Sequence, residues 1–332
     1  MTKKLEVKIK HHYVSREHLR YWSEDRKNIC YTTSKGNIAC DGIAGLAMEK
    51  NFYSISPIDE RDKLFIETFC INPSSDELKK TNEDYLYDFL RISDILKFSE
   101  KNKLEITKFI ENNFLEDLYG SHERDVLNIQ KELCLENIDI LEDKQERLKL
   151  FFYISHQKLK TKIVRERIIS TFSRNESKKN KFNNASVLFL VKKNWWAMSY
   201  LYGNNLAFDL FCSNYTFTLL RNLSEEPFIT SDQAVHNIHS STSQSDEENP
   251  PEGLTYYFPI SPKYALHIGT DEHLGGGILE ISKNQAEEYN QLITQDMHFH
   301  LFATNKDQLK RIQKTKTHIR HTEPLKKTKY TV

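Results

Sequence analysis

The residues best suited to chemistry in this sequence follow a short apolar run, where Phe228 and Ile229 lead into Thr230, Ser231 and Asp232. A strand that ends in two hydroxyls and a carboxylate can hold a metal ion, a water molecule or a polar ligand at its tip. The same Ser-Asp pair is also common at the start of a turn. The pattern therefore indicates a candidate site at Asp232, with a plain turn as the alternative.

A second group of polar residues falls on two predicted helices. Glu116 and Glu123 are seven residues apart, so both project from one side of a helix and can enter a shared cleft. On the next helix, predicted from about residue 144 to 173, Gln157 and Lys160 are three residues apart and offer an amide and an ammonium on one face. If the two helices pack together, carboxylates face cations. The alternative is an interhelical salt bridge without a catalytic role.

The N-terminal part adds two histidines, which can serve as metal ligands or as general bases. His11 and His12 end an alternating stretch, immediately before a helix that Ser15 can cap. We expect the fold to bring one of them into the same pocket as the two glutamates, Gln157 and Asp232.

Several motifs occur in an order that resembles the bacterial domain-of-unknown-function family 4238 along nearly the whole chain. They are His11-His12-Tyr13-Val14 with Leu19-Arg20-Tyr21-Trp22, Leu115-Glu116 with Glu123, Phe152-Tyr153-Ile154 with Gln157 and Lys160-Thr161, Phe228-Ile229-Thr230-Ser231-Asp232, Phe258-Pro259-Ile260-Ser261-Pro262, and Tyr289-Asn290. The chain departs from the family pattern at Lys160, where Arg is usual, and at Lys162, where Pro is usual. The resemblance implies a link with bacterial anti-phage defence loci, without an established biochemistry.

Three functions fit these residues. The first is a metal-dependent nuclease or phosphodiesterase that acts as an effector of the abortive-infection type, with Mg²⁺ or Mn²⁺ held by oxygen ligands. The predicted metal ligands are His11, His12, Glu116, Glu123 and Asp232, and the predicted catalytic residues are His12, Glu123, Gln157, Lys160 and Asp232. The alternatives are a non-catalytic sensor or scaffold that binds a phage protein or nucleic acid, and an enzyme that acts on a nucleotide metabolite.

The distribution of charge suggests where nucleic acid could bind. The formal net charge is zero, yet 11 bases stand against 2 acids between Lys158 and Lys193. We therefore predict a phosphate-binding surface, assisted by a basic tail at residues 306–332. Its predicted nucleic-acid-binding residues are Lys160, Lys162, Arg165 and Arg167. Solvated helix faces are the alternative.

The composition excludes several classes of protein. At 332 residues, with 38% hydrophobic and 28% charged residues, the chain predicts a globular protein of the cytoplasm without a membrane span. Five scattered cysteines lack any Cys-x-x-Cys spacing, which favours reduced structural thiols over a zinc cluster or a disulfide framework. Cys30 and Cys40 flank a predicted hairpin and could pair only under oxidation. Gly275-Gly276-Gly277 opens no dinucleotide-binding motif. The oligomeric state is left open.

The predicted fold class is α+β, with a central helical bundle packed on a mostly antiparallel C-terminal sheet that also includes N-terminal strands. A single domain at 1–305 would contain an N-terminal strand and hairpin part at 1–58, the bundle at 59–173 and the sheet part at 185–305, separated by a polar linker at 174–184. The predicted strands of the sheet part include residues 195–202, 228–235, 256–260, 264–268 and 297–302, with a loop at 240–253.

Overall fold

The computed structural model describes residues 6–174, 184–243, 253–269 and 275–322. The linker predicted at 174–184 and the loop predicted at 240–253 lie mostly outside these residues, as do the start of the N-terminal strand part and the end of the basic tail. Within the described residues, the chain combines helices with antiparallel sheets, which confirms the α+β fold class.

Helices dominate the middle of the chain. In order they are α1 (Arg16–Leu19), α2 (Glu60–Ile66), α3 (Asp76–Lys101), α4 (Ile106–Cys134), α5 (Lys144–Leu159), α6 (Lys162–Arg174), α7 (Asn184–Cys212), α8 (Lys283–Asp296) and α9 (Lys306–Thr322). Helix α3 shows why they form: Leu86, Phe89 and Leu96 are buried at helical spacing, while the opposite side is exposed. The predicted tail at 306–332 begins as α9.

Helix α7 corrects the sequence-based assignment. The sequence predicts a strand at residues 195–202, yet these residues lie in the middle of this helix. Trp195 and Trp196 are adjacent and both buried, because α7 is surrounded by α2, α3, α5 and α6. A helix buried on all sides carries no polar stripe, so its period cannot be distinguished from that of a strand. The helical part therefore extends well beyond residue 173.

The helix predicted from about 144 to 173 is broken in two. Helix α5 ends at Leu159 and α6 begins at Lys162, so Lys160 and Thr161 form the junction. Thr161 donates its hydroxyl hydrogen to the Gln233 Oε1 at 2.5 Å. The single helix predicted here is therefore corrected to two.

The strands of the described residues form three sheets. The strands are β1 (Lys10–His12), β2 (Asn28–Thr32), β3 (Ile38–Gly42), β4 (Met48–Lys50), β5 (Thr216–Asn222), β6 (Thr230–Ser231), β7 (His236–Asn237), β8 (Tyr256–Pro259), β9 (Tyr264–Gly269), β10 (Gly277–Ile281) and β11 (Leu301–Ala303). Their orders are β10-β5-β9-β8-β7, β3-β2-β11-β6 and β1-β4. The pairing is antiparallel except between β10 and β5. The expectation of one C-terminal sheet is thus corrected to two.

The N-terminal hairpin takes part in the second sheet as expected, because β2 pairs with β11. The strands predicted at 228–235 and 297–302 shrink to β6 and β11, since polar contacts of the intervening loops replace regular pairing. Cys30 and Cys40 lie directly opposite each other in this hairpin and form a disulfide. The prediction of reduced cysteines is therefore wrong for this pair, whereas Cys70, Cys134 and Cys212 are free.

The helices and sheets share continuous packing. One buried cluster joins the N-terminal segment to α3, α4 and α7, and a second joins α4 and α5 to the five-stranded sheet. Helix α7 approaches α5 so closely that a Cβ on Gly203 would overlap the ring of His156. None of the helices among the described residues is both long and apolar enough to cross a membrane.

Candidate functional site

A polar cleft of about 220 Å³ opens between the N-terminal segment and α4. It is lined by Lys8, His12, Arg16, Glu17, Glu116, Tyr119, Gly120, Glu123, Arg124 and Leu127. The two glutamates reach it together because they are two turns apart on one side of α4. Beneath them, the buried ring of Tyr119 forms part of the floor.

Glu116 is held from two sides. The Tyr53 hydroxyl donates to its Oε2 at 2.6 Å, and the Nδ1 of His12 lies 4.0 Å from its Oε1. Burial opposes ionisation of Glu116, but these neighbours and the charge of Lys160 outweigh that effect and hold the pKa below its usual value. Glu116 is therefore a carboxylate at neutral pH, which suits a cation ligand better than a general acid.

Glu123 receives its contacts from the next helix and from the junction that follows it. Lys160 places its Nζ 3.3 Å from the Glu123 Oε1, and the Gln157 amide nitrogen lies 3.5 Å from the same oxygen. The Lys160 side chain is only 1% exposed and its Nζ lies 4.7 Å from the centre of the Tyr119 ring. The structure thus brings His12, Glu116, Glu123, Gln157 and Lys160 together, with Lys160 below the cleft.

His11 does not fit the predicted role of metal ligand. Its Nδ1 accepts the Tyr53 backbone N–H at 3.1 Å, and its Nε2 lies 2.9 Å from the Lys8 carbonyl oxygen, to which it must donate. Both ring nitrogens are thereby engaged in the neutral tautomer, so no lone pair remains for a metal. Burial also lowers the His11 pKa. His11 stacks on Tyr53 and supports the residue that holds Glu116.

Asp232 lies outside the cleft, in contrast to the predicted convergence. Its Oδ1 accepts the backbone N–H of His298 at 2.9 Å, and its Oδ2 accepts those of Phe299 and His300 at 2.7 and 3.0 Å. The residue is 2% exposed. A carboxylate that accepts three amides is committed to holding a loop. The structure therefore favours the turn alternative at this position.

The described part of the chain contains no group of three or more His, Cys, Asp or Glu placed to hold a metal ion. The predicted set of five metal ligands is consequently not assembled. Glu116 and Glu123 remain the two glutamates of the predicted set that line the cleft. Mg²⁺ is commonly held by one or two carboxylates, with water and substrate phosphates completing the coordination.

The model of DUF4238, a family of proteins of unknown function, matches residues 10–307. The chain belongs to this family. The match contains the Asp232 loop, every motif on which the resemblance rested and all of the cleft except Lys8, so the family assignment is confirmed. Comparison with curated proteins and with solved structures finds no match to this DUF4238 chain.

The predicted phosphate-binding surface of this family member is largely neutralised by its own acids. Lys162 Nζ lies 2.7 Å from a Glu49 carboxylate oxygen, and an Arg165 guanidinium nitrogen lies 3.4 Å from the other. Arg167 pairs with Asp296 at 2.8 Å. Lys160 is buried and cannot, as placed, contact a strand that runs over the surface. All four cations form ion pairs within the fold, so neither a free phosphate-binding surface nor the alternative of solvated helix faces describes them.

Two arginines that the sequence analysis missed line the cleft instead. Arg16 and Arg124 are exposed at the cleft, and neither guanidinium forms an ion pair or hydrogen bond within the described residues. Arg124 directly follows the motif residue Glu123, which is the signal that could have indicated it. Tyr53 and Tyr119 were also missed, because their roles depend on contacts with Glu116 and Lys160 that sequence spacing does not show.

A larger cavity of about 630 Å³ lies elsewhere, between the start of α3 and the end of α7. It is lined by residues such as Phe69, Tyr202, Phe208 and Cys212. None of the predicted site residues is among them. We place the candidate site in the smaller cleft, because that is where ionised and polar side chains converge.

Proposed function

We propose that the cleft is the active site of a cytoplasmic effector of bacterial anti-phage defence, and that it hydrolyses a phosphodiester bond. The observation that carries this proposal is a single cleft lined by two carboxylates, Glu116 and Glu123, and by Arg16 and Arg124, whose guanidinium groups have no ion-pair or hydrogen-bond partner among the described residues. Carboxylates can bind a hard cation, while arginines bind phosphate oxygens. Both are needed when an anionic ester reacts.

Each residue has a distinct role in this proposal. Glu116 and Glu123 would hold Mg²⁺ or Mn²⁺, which supplies charge stabilisation for the phosphoryl oxygens. His12, at the cleft wall, takes a proton from the attacking water. Lys160 and Gln157 position Glu123 from below, and Arg16 with Arg124 bind the phosphate. Asp232 has no part in the reaction, since its oxygens bind backbone amides.

The size of the cleft bears on the substrate. Typical ligand pockets measure about 300–1,000 Å³, so a volume of about 220 Å³ suits one phosphate and its sugar. Because Lys162, Arg165 and Arg167 are already paired, little unpaired positive charge lies among the described side chains of α6. These two observations favour a small nucleotide, or the end of a strand, over a long nucleic acid bound along its length.

A non-catalytic sensor is the second candidate. The contact between buried Lys160 and Glu123 is the type of polar network that can simply stabilise a fold. In that case the cleft would bind a phage protein or nucleic acid through the two arginines without turning it over.

The deciding experiment incubates the purified protein with labelled RNA, DNA and linear and cyclic nucleotides, with Mg²⁺, Mn²⁺ or EDTA. We expect turnover that requires the metal and that falls at least about a hundredfold in Glu116→Gln and Arg124→Gln, the scale of losing a charge-stabilising group. Glu24→Gln, an exposed carboxylate away from the cleft, is the matched control. Phage plating on cells that carry the same variants tests the defence role.

The outcomes separate the two candidates. Metal-dependent turnover that Glu24→Gln retains and Glu116→Gln loses supports the enzyme. Binding that depends on Arg124, without turnover of any substrate under either metal, supports the sensor. Full activity of Glu116→Gln would contradict an active site in this cleft.

A further inference from the structure

The exposed side of α3 carries six residues in a single row along the helix. Their spacing of three and four residues is that of the contact positions in a coiled coil. They are Asp84, Tyr87, Arg91, Asp94, Phe98 and Lys101, and we call them the α3 row. The opposite side of the helix is buried at Leu86, Phe89 and Leu96, so the row points away from the rest of the chain.

The two aromatic residues of the row are unusually exposed. The side chains of Tyr87 and Phe98 are 63% and 64% exposed, and the neighbouring Ile95 is 54% exposed. Burying large apolar side chains is the main source of stability in protein association. An aromatic residue in each half of one helix, bordered by charges, is the composition expected of a contact surface.

The order of chemical types identifies the partner. From its N-terminal to its C-terminal end, the α3 row is acid, aromatic, base, acid, aromatic, base. When a second copy lies antiparallel, every position meets its complement. The pairs are Asp84 with Lys101, Tyr87 with Phe98, and Arg91 with Asp94, each formed twice. A parallel, in-register copy would instead set like charges against each other, which is unfavourable.

We propose that the protein forms an antiparallel homodimer through α3, with a two-fold axis midway between Arg91 and Asp94. Such an interface is isologous, as expected for a symmetric dimer. Residues beside the row fit the same register, because Asp88 then faces Lys97 and Leu90 faces Ile95. The central Arg91 and Asp94 pairs fix that register, as polar residues do within coiled coils.

The charges of the row are free to change partners. Arg91 now lies 3.7 Å from Asp88, and Lys97 lies 3.4 Å from Asp94, all with largely exposed side chains. Exposed pairs of this kind contribute little to stability, so replacing them with contacts across the dimer costs little. From Asp84 to Lys101 the contact spans roughly 26 Å of helix. Because this is a small interface, we expect a dissociation constant on the order of micromolar.

The test uses two single charge reversals, mixed and unmixed. Alone, Arg91→Asp sets a second carboxylate against Asp94 across the axis, and Asp94→Arg sets a second guanidinium against Arg91. Each variant should therefore sediment as a monomer at concentrations where the wild type is a dimer.

In an equimolar mixture, the carboxylate introduced by Arg91→Asp faces the guanidinium introduced by Asp94→Arg, and the native Asp94 of the first chain faces the native Arg91 of the second. Because both symmetry-related pairs then join opposite charges, a heterodimer should form. Sedimentation velocity with one variant labelled distinguishes it from either homodimer.

Two further variants test whether the aromatic residues of the α3 row, and not any exposed apolar residue, stabilise the dimer. Tyr87→Asp should weaken the dimer at least about tenfold, a loss of 1.4 kcal/mol. Leu135→Asp changes an equally exposed apolar side chain, at 65%, outside the row and should leave the dimer intact. Circular dichroism checks that all variants fold. A monomeric wild type at every concentration, a mixture that stays monomeric, or charge variants that dimerise like the wild type would each overturn the proposal.

Discussion

The Asp232 loop and the cleft both present carboxylates from family motifs, yet they use them in opposite ways. Asp232 is buried, and its two oxygens accept three backbone amides. Glu116 and Glu123 accept hydrogen bonds from below but line an open cleft. A motif carboxylate thus binds a ligand only where some of its oxygen lone pairs are left available. The burial and partners of each oxygen, and not the residue type, distinguish the two regions.

The largest effect should follow from Asp232→Ala. The change leaves three backbone N–H groups without their acceptor in a buried loop, at about 1–3 kcal/mol each. We expect the free energy of unfolding to fall by at least about 3 kcal/mol in urea titrations. Exposed Glu24→Ala should change it by no more than about 0.5 kcal/mol. If Asp232→Ala were fully stable but inactive, Asp232 would act in catalysis and not in holding the loop.

The second prediction concerns Glu123, which combines both kinds of role. Glu123→Gln leaves the buried ammonium of Lys160 without a counter-charge, and breaking such a pair is costly. Since the Glu123 side chain is 22% exposed, water moderates the loss, and we expect about 2–3 kcal/mol.

A double variant separates charge from packing at this position. In Glu123→Gln with Lys160→Met, no buried charge remains, so most of the lost stability should return. Thermal unfolding of the two single variants and the double variant gives the coupling energy. Additive losses would show that the ion pair is not the source of the effect.

Sequence reasoning succeeded where contacts are local. Helical spacing placed Glu116 and Glu123 on one side of α4, and the ordered motifs identified the family. It failed at Asp232 because the amides that this side chain binds lie 66 to 68 residues further along the chain. A local sequence pattern cannot predict a hydrogen-bond partner so far along the chain.

The same limit explains the other errors. Residues 195–202 have no exposed polar side because this middle part of α7 is buried almost all round, so their period does not reveal a helix. Lys162 and Arg165 appear as free cations in the sequence, whereas Glu49 lies beside them only after folding. Lys160 carries a charge that the sequence places on a surface, and the fold places it beneath the cleft.

The third prediction concerns the loss of stability that a histidine beside the cleft causes in acid. The ring of His122, which precedes Glu123 in the chain, stacks against both Phe152 and His156. Burial lowers the pKa of His122 from 6.5 to about 4. A group whose pKa is lowered by folding stabilises the native state above the unfolded value of 6.5. That contribution is lost as the pH falls toward 4. At pH 5 the loss for His122 is about 2 kcal/mol.

His122→Phe tests this assignment, since Phe keeps the stacking without a proton site. The variant should match the wild type within about 1 kcal/mol at pH 8 and exceed it by about 2 kcal/mol at pH 5, measured as the difference in unfolding free energy. Parallel stability curves for the two proteins across this range would show that His122 is not a source of acid sensitivity.

The smallest effect on stability should come from Glu116→Gln. The amide oxygen can still accept the Tyr53 hydroxyl, and the position opens to the cleft, so we expect a loss below about 1 kcal/mol. Cation binding should be affected much more strongly than stability, because a neutral amide is a poor replacement for a carboxylate ligand. Titration with Mn²⁺ followed by calorimetry should show binding to the wild type and to Glu24→Gln, and at least about tenfold weaker binding to Glu116→Gln.

The lowered pKa of Glu116 adds a second measurement. Since the carboxylate stays ionised below the usual pH range, Mn²⁺ binding should persist at pH values where an ordinary glutamate begins to protonate. A stable Glu116→Gln variant with unchanged Mn²⁺ affinity would show that this carboxylate, like Asp232, serves the fold and not a ligand.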